Sequence, residues 1–260
     1  MRYLASALAF ALAAGAAPAL ACTPAPGCAV PTNLQLAQTA DLVLLGEVVG
    51  GTSGAVLEPQ ASKIEIRPIA ALKGLTPSGT LVLPGMQLAD PGDEAAAATS
   101  DPLAFGDAHP SAYAGACIRR TFPLGAHVLF FLERVDGEWA PAGGPFSRWA
   151  EDIASDTAPW VQLASFYVEA ARLPEADRQA LLQEQQEALA VHTDQPEAVA
   201  MAADIERSLA GPAAPLIEAQ VTEPAPAQAS VELPPADEPE AAPDDLDPVL
   251  TAIDDFGAGE

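Results

Sequence analysis

Three cysteines are the residues of this chain best suited to covalent or metal chemistry. They are Cys22, Cys28 and Cys117. In an exported protein, which meets an oxidising compartment, three cysteines predict one disulfide and one cysteine left over. A structural zinc site needs about four side-chain ligands. Because the three histidines are scattered along the chain, we expect no metal to be bound by these side chains.

Three arginines are the most concentrated basic groups in an otherwise acidic chain: Arg119, Arg120 and Arg148. A guanidinium group can bind a carboxylate or a phosphate through two parallel hydrogen bonds. These side chains are therefore candidates for contact with an anion or a partner. The alternative, which we favour, is that they form ion pairs within the fold. The acidic residues nearby in sequence are Glu133, Glu151 and Asp152.

Recognisable catalytic motifs are missing from the sequence. It contains no Gly-x-Ser-x-Gly element, no His-Glu-x-x-His helix and no phosphate-binding glycine loop. Acidic residues are plentiful, but no pair of them has a distinctive context. Cys28 has no histidine close in sequence that would activate its thiol. We therefore expect no catalytic residue and no cofactor.

The first 21 residues have the pattern of a secretory signal peptide. Arg2 supplies the positive charge, residues 4–17 form a short apolar region, and Ala19-Leu20-Ala21 is a cleavage signal. We expect a periplasmic or secreted protein that begins at Cys22. A lipid on Cys22 is an open alternative, although the lipobox match is poor because the usual Leu is displaced by one position. No later run has the roughly 20 apolar residues of a transmembrane helix.

Residues 22–157 carry the strand signals. Gly46 interrupts an apolar run and predicts a bulge or a sharp bend, and Asp136-Gly137 predicts a hairpin turn. Residues 86–116 form a long insertion without a regular pattern, which we expect to be anchored by three side chains. The five predicted strands cover residues 42–49, 63–72, 80–83, 126–134 and 138–140, and the anchoring side chains are Phe105, His109 and Tyr113.

The C-terminal half reads as helices followed by a tail. Residues 158–211 predict a helical extension of three helices, which begin near Pro159, Pro174 and a capping-box-like Asp194, the last ending at Gly211. Residues 212–260 hold twelve Asp or Glu and no Lys or Arg, so we expect a disordered acidic tail. The net charge of −25 at pH 7 argues against nucleic-acid partners.

The order of features in residues 22–150 resembles the netrin-like OB barrel, in particular the N-terminal domain of tissue inhibitors of metalloproteinases and its simpler bacterial relatives. The resemblance covers about half of the chain. It implies a mainly β fold with α: a small five-stranded OB-like barrel at 22–157, with the helical extension and the tail behind it. The features that carry it are Cys22-Thr23, the segment Ala40-Asp41-Leu42-Val43, Cys117, and Asp136-Gly137.

The cysteine pattern departs from that family. Pro24 stands where the family has the second cysteine of Cys-x-Cys, and its usual partner after the hairpin is also absent, because Gly143-Gly144-Pro145-Phe146 occupies that region. The family pattern then implies a Cys22–Cys117 disulfide with Cys28 unpaired. From the residues alone, a Cys28–Cys117 disulfide remains an alternative.

These observations predict an exported, non-catalytic binding module of the cell envelope, whose ligand or protein partner the sequence does not identify. The first alternative is an inhibitor resembling the metalloproteinase inhibitors. In that family the amino group and carbonyl of the first Cys chelate the zinc of the target enzyme and the next residue enters its specificity pocket, positions that Cys22 and Thr23 occupy here. The second alternative is a periplasmic enzyme of an uncharacterised kind.

Overall fold

The computed structural model describes residues 24–52, 61–114 and 116–216. The expected signal peptide, Cys22 and the acidic tail from residue 217 onward lie outside these ranges. The described chain is a mixed α/β fold in which helices pack on a curled antiparallel sheet. The strands are β1 (Leu42–Gly51), β2 (Lys63–Lys73), β3 (Leu81–Pro84), β4 (Gln87–Leu88), β5 (Thr121–Phe122), β6 (His127–Val135), β7 (Glu138–Pro141) and β8 (Ala150–Asp152). The helices are α1 (Asn33–Thr39), α2 (Glu94–Ala97), α3 (Pro159–Ala171), α4 (Glu175–Ala190) and α5 (Pro196–Ala210).

Five strands form the main sheet in the order β3-β2-β1-β6-β7, and all of their pairings are antiparallel. The central strand β1 lies opposite β6 with Leu44 facing Phe130. Residues 128–132 of β6 are fully buried, as their continuous apolar run predicts. The outer strands β3 and β7 contact each other, so the sheet curls into a half-barrel.

Gly46 lies at a bulge in β1, as the sequence predicts. The register between β1 and β2 shifts between Leu45 and Gly46. A Cβ atom at Gly46 would overlap the side chain of Ile66 on β2. The absence of a side chain at Gly46 therefore allows the two strands to approach closely and bend together.

The hairpin between β6 and β7 is also confirmed. Asp136 and Gly137 both have positive φ angles, 52° and 86°. This is the backbone of a type I′ turn, whose twist matches the twist of the strands that it joins. Arg134 closes the hairpin on its exposed side, with its guanidinium carbon 3.9 Å from the ring centroid of Trp139.

Two strands share one edge of β6, which the sequence did not predict. β7 pairs with residues 132–135 and the short β8 pairs with residues 128–130. Between them, the Ala142 N–H donates to the Phe131 carbonyl at 2.9 Å, and the Phe131 N–H donates to the Trp149 carbonyl at 2.6 Å. The chain therefore leaves the sheet after Ala142 and rejoins it at Trp149, in both cases opposite Phe131. We call the residues between these points the 143–148 loop.

The three C-terminal helices confirm the helical interpretation, with one correction. α3 begins at Pro159, Pro174 is the residue before α4, and Gly211 ends α5 with a φ of 90°. The predicted capping role of Asp194 is wrong, because the N-cap of α5 is Gln195 and no side chain caps it. Pro196 at the first helical position sets this start instead, since its φ is already helical.

The insertion at residues 86–116 is more ordered than its composition suggests. β4 pairs in parallel with β5, Asp93 caps α2, and residues 110–114 form a 3₁₀ turn. Phe105 and His109 are buried, as expected of anchors. Tyr113 is 46% exposed and stacks on Phe146 at 5.1 Å between ring centroids.

None of the helices in the described residues is long and apolar enough to cross a membrane.

Candidate functional site

Arg119, the first predicted contact residue, is buried inside the fold. Its side chain is 1% exposed and its Nη2 lies 2.9 Å from Oδ1 of Asp152 on β8. The guanidinium also packs over the ring of Phe122 at 4.5 Å. Arg119 therefore ties the segment before β5 to β8 and offers no surface to a ligand.

His109, which lies in the 86–116 insertion, also contacts the Asp152 carboxylate. The His109 Nε2 lies 3.3 Å from Oδ2 of Asp152, while its Nδ1 accepts the Ser111 amide N–H at 3.2 Å. With Nδ1 bonded in this way, the ring directs its Nε2 at the Asp152 carboxylate. Burial works to raise the pKa of the Asp152 carboxyl, but the hydrogen bond from His109 and the charge of Arg119 outweigh it, so the pKa lies below its ordinary value.

Ser111, His109 and Asp152 have the residue types of a nucleophilic triad, which the sequence analysis did not detect. The Ser111 hydroxyl lies 2.8 Å from His109 Nδ1. The same nitrogen accepts the Ser111 amide, so protonating it during catalysis would also break the bond that caps the 3₁₀ turn. This geometry therefore fits a local cap better than a proton relay.

Arg148, which lies in the 143–148 loop, is the second predicted contact residue that the fold buries. Its side chain is 4% exposed and its Nη2 lies 3.4 Å from Oε2 of Glu151. Its Nη1 donates to the carbonyls of Ala104 and, at 3.0 Å, Asp107. The guanidinium carbon lies 4.8 Å from the ring centroid of Trp160. Arg148 thus joins the loop to the insertion and to α3.

Arg120 is the exposed member of the three. Its side chain makes no hydrogen bond or ion pair with the part of the chain that the structure describes. It lines a cleft of about 250 Å³ together with Ser111, Thr121 and Asp93. The three arginines therefore do not converge on one site, and Glu133, which the sequence offered as a partner, pairs with none of them.

The described residues enclose a cavity of about 400 Å³ near the buried Arg148. Its walls come from the segment before α1, the middle of the insertion, the 143–148 loop, and the end of α5 with the residues that follow it. Most of the lining is apolar: Val30, Pro31, Phe105, Gly106, Phe146, Ala210, Gly211, Pro212 and Ala213. The polar lining residues are Thr32, Asn33, Arg148, Asp204 and Arg207.

Asp204 is the buried carboxylate of this cavity and joins three helices. It is 2% exposed. It accepts hydrogen bonds from Asn33 Nδ2 of α1 at 3.0 Å and from the Tyr167 hydroxyl of α3 at 2.7 Å. Burial raises the pKa of Tyr167, and the nearby charge of Asp204 raises it further. Tyr167 is therefore protonated and acts as the donor. The hydrogen bonds to Asp204 connect α1, α3 and α5 at this end of the cavity.

Arg207 lies one helical turn beyond Asp204 and places its guanidinium at the solvent-exposed side of the cavity. Its side chain is 51% exposed and its Nη2 lies 2.5 Å from Oδ1 of Asp204. A Cβ atom at Gly106 would lie 3.0–3.3 Å from three atoms of this guanidinium, so the group occupies the space that a side chain at position 106 would need. Its Nε and Nη1 have no hydrogen-bond partner among the described residues.

The cysteines settle one of the two pairings that the residues left open. Cys28 is a free thiol, so the alternative Cys28–Cys117 disulfide is absent from the structure. The Cys28 Sγ faces the 143–148 loop, where a Cβ atom at Gly144 would lie 3.9 Å away. Cys22 lies outside the described residues, and its pairing with Cys117 stays a prediction.

The residues around the cavity were mostly missed by sequence reasoning. Asn33 is the first residue of α1, which Thr32 caps, and nothing in the local sequence marks its side chain as buried. Asp204 lies beside the apolar face of α5 that runs through Ala202 and Ile205, so the pattern gives no sign of its burial. Arg207 occupies an ordinary exposed helical position. Only the packing of α5 against α1 and α3 brings these side chains together.

No protein-family model matches the chain, and no curated protein is significantly similar to it.

Proposed function

We propose that this protein is an exported binding module of the cell envelope and that it binds a small ligand in the cavity beside Asp204 and Arg207. The observation that carries the proposal is the cavity itself, about 400 Å³ with mostly apolar walls and five polar residues. Small-molecule sites typically have volumes of about 300–1,000 Å³, apolar linings and a few placed polar groups.

The cavity is preformed, which supports binding. Arg148 is held by two carbonyls and by Glu151, and Asp204 is held by donors from two other helices. Side chains fixed in this way lose little conformational entropy when a ligand binds. The ordering cost of binding is therefore smaller than for a site whose walls must rearrange around the ligand.

The proposal includes a netrin-like OB barrel as the scaffold. The strand order, the contact between β3 and β7 and the bulge at Gly46 are what such a barrel requires. The proposal of a periplasmic or secreted location rests on the signal-peptide pattern of the first 21 residues. The inhibitor alternative depends on Cys22 and Thr23, which lie outside the described residues.

Binding of the neutral dye prodan, whose emission shifts to the blue in an apolar site, tests the proposal. Ala210 is an exposed cavity residue at the end of α5, so we expect Ala210→Trp to fill the cavity and abolish the blue-shifted emission. Ala190→Trp, at the equivalent exposed position of α4, is the matched control and should bind prodan like the wild type. Equal binding by both variants, or no binding by the wild type, would refute the assignment.

A further inference from the structure

We infer that the cavity ligand is an amphiphilic carboxylate, with its apolar body inside the cavity and its carboxylate on Arg207. This inference rests on the proposed function, because it names the ligand class of the same cavity. Three features carry it: the fixed orientation of Arg207, the engaged state of Asp204, and the apolar rings of the lining.

Arg207 is oriented before any ligand arrives. Its ion pair with Asp204 uses Nη2, and its guanidinium lies beside Gly106, where the lack of a side chain leaves room for it. The donors on Nε and Nη1 remain unused within the described residues. Because its side chain is 51% exposed, these donors are accessible to an acceptor. An ionised oxygen acceptor gives the strongest hydrogen bonds with such donors.

Arg148 adds a second guanidinium to the cavity wall. It is 4% exposed, and its Nε has no hydrogen-bond partner in the described part of the chain. Its charge is balanced by Glu151, whose side chain is 1% exposed. Arg148 therefore adds an unpaired N–H donor to a lining residue whose charge is already balanced, while Arg207 supplies the contact.

A cationic ligand fits this cavity poorly. Among the described residues that line the cavity, Asp204 is the one carboxylate. It already accepts from Asn33 and Tyr167 and pairs with Arg207. A cation would have to compete with these donors for a carboxylate that is 2% exposed. The unused groups are donors, so the complementary ligand group is an acceptor.

The rest of the lining fits an apolar body. Phe105 and Phe146 face the cavity together with small apolar residues of the α5 end. A free inorganic anion would leave these surfaces without contacts, whereas a chain or ring bearing the carboxylate would cover them. The chain has a net charge of −25, which repels anions at long range. Selectivity for the carboxylate therefore depends on the two arginines at the cavity.

Displacement of prodan by octanoate and by octanol tests the inference, because the two competitors share one apolar chain and differ in the head group. We expect the wild type to bind octanoate about tenfold more tightly than octanol, a difference typical of one charge-assisted contact. Arg207→Gln should bring the two affinities together without loss of octanol binding. Arg207→Lys should keep part of the preference.

Arg178→Gln is the matched control, because Arg178 pairs with Glu175 three residues earlier, as Arg207 does with Asp204, and does not line the cavity. It should leave both affinities unchanged. Equal binding of octanoate and octanol by the wild type would overturn the carboxylate inference and leave the cavity proposal standing, as would an unchanged preference in a folded Arg207→Gln. Prodan that binds but is displaced by neither competitor would also overturn the inference, whereas a wild type that fails to bind prodan would refute both.

Discussion

At the scale of single residues, two of the arginines that the sequence offered as contacts form ion pairs inside the fold. Arg119 and Arg148 are separated in sequence, yet both are buried against carboxylates of the β8 region. Arg119 pairs with Asp152, and Arg148 pairs with Glu151. Removing one partner of such a pair is destabilising, because the other charge stays buried without compensation. These two arginines are therefore positioned for stability, whereas Arg207 at the cavity is half exposed.

Asp152 gives a prediction about the pH dependence of stability. Its pKa is lowered in the folded protein, so its contribution is complete above the unfolded pKa of about 3.9 and is lost as the pH falls through the folded pKa. We expect Asp152→Asn to lower the free energy of unfolding by about 2 kcal/mol at pH 7. In urea titrations the difference from wild type should stay constant above about pH 5 and shrink below about pH 4.

Asp156→Asn is the control for this experiment. Asp156 is exposed and follows β8 closely, so the substitution removes the same charge without removing an ion pair. Its unfolding free energy should match that of the wild type within about 0.5 kcal/mol. A difference for Asp152→Asn that stays the same from pH 7 to pH 3 would contradict the stabilised carboxylate.

At the scale of elements, the bulge in β1 controls how the sheet bends. Gly46 sits where β1 and β2 shift register, against Ile66. We expect Gly46→Ala to lower the free energy of unfolding by about 1–3 kcal/mol, the usual cost of forcing an extra carbon into a packed contact. Urea denaturation monitored by far-ultraviolet circular dichroism would measure it.

Gly79→Ala provides the comparison, because a Cβ atom at Gly79 has no neighbour within 4 Å. That variant should unfold within about 0.5 kcal/mol of wild type. If the two alanine variants prove equally stable, the close approach of β1 and β2 at Gly46 does not limit the packing of the sheet.

The 143–148 loop is the element that places the site. Its cue in the sequence, Gly143-Gly144-Pro145, predicts an irregular segment but not a loop that returns to the same residue of β6. That return depends on Phe131 bonding both Ala142 and Trp149. The two backbone hydrogen bonds of Phe131 fix both ends of the loop. They therefore set the positions of Phe146 and Arg148, which line the cavity.

At the scale of the whole molecule, the expected covalent tie is a Cys22–Cys117 disulfide. It would close a loop of roughly 90 residues, for which the chain-entropy model gives about 4–5 kcal/mol. We expect Cys117→Ser to lose stability of this order in urea denaturation. Peptide mapping of the mature protein should join Cys22 to Cys117.

Cys28→Ser is the control for this prediction, because it removes the cysteine that we expect to take no part in the disulfide. Because Cys28 is a free thiol, this variant should keep the disulfide and nearly all of the stability. A map that joins Cys28 to Cys117, or a Cys117→Ser protein as stable as wild type, would contradict the predicted pairing. A diacylglycerol-sized mass increment on Cys22 would contradict it as well.

Local patterns were sufficient for much of the architecture. The alternating and continuous apolar runs, Gly46, Asp136-Gly137, and the prolines and glycine at helix ends predicted the five main strands and the three C-terminal helices. These features depend on backbone preferences and on periodic burial, which are properties of a few neighbouring residues. The net charge of −25 also follows from the composition alone and does not depend on the fold.

Only the tertiary structure decided where the charges lie and what they can do. Asn33, Arg148 and Asp204 come from distant parts of the chain, and no local pattern encodes that they share one cavity. The sequence favoured ion pairs for Arg119 and Arg148 within the fold, and the structure confirms both, but nothing in the sequence placed Arg207 at a cavity. The physical reason is that ion pairing and cavity formation depend on contacts between residues far apart in sequence, whereas strands and helices depend on neighbours.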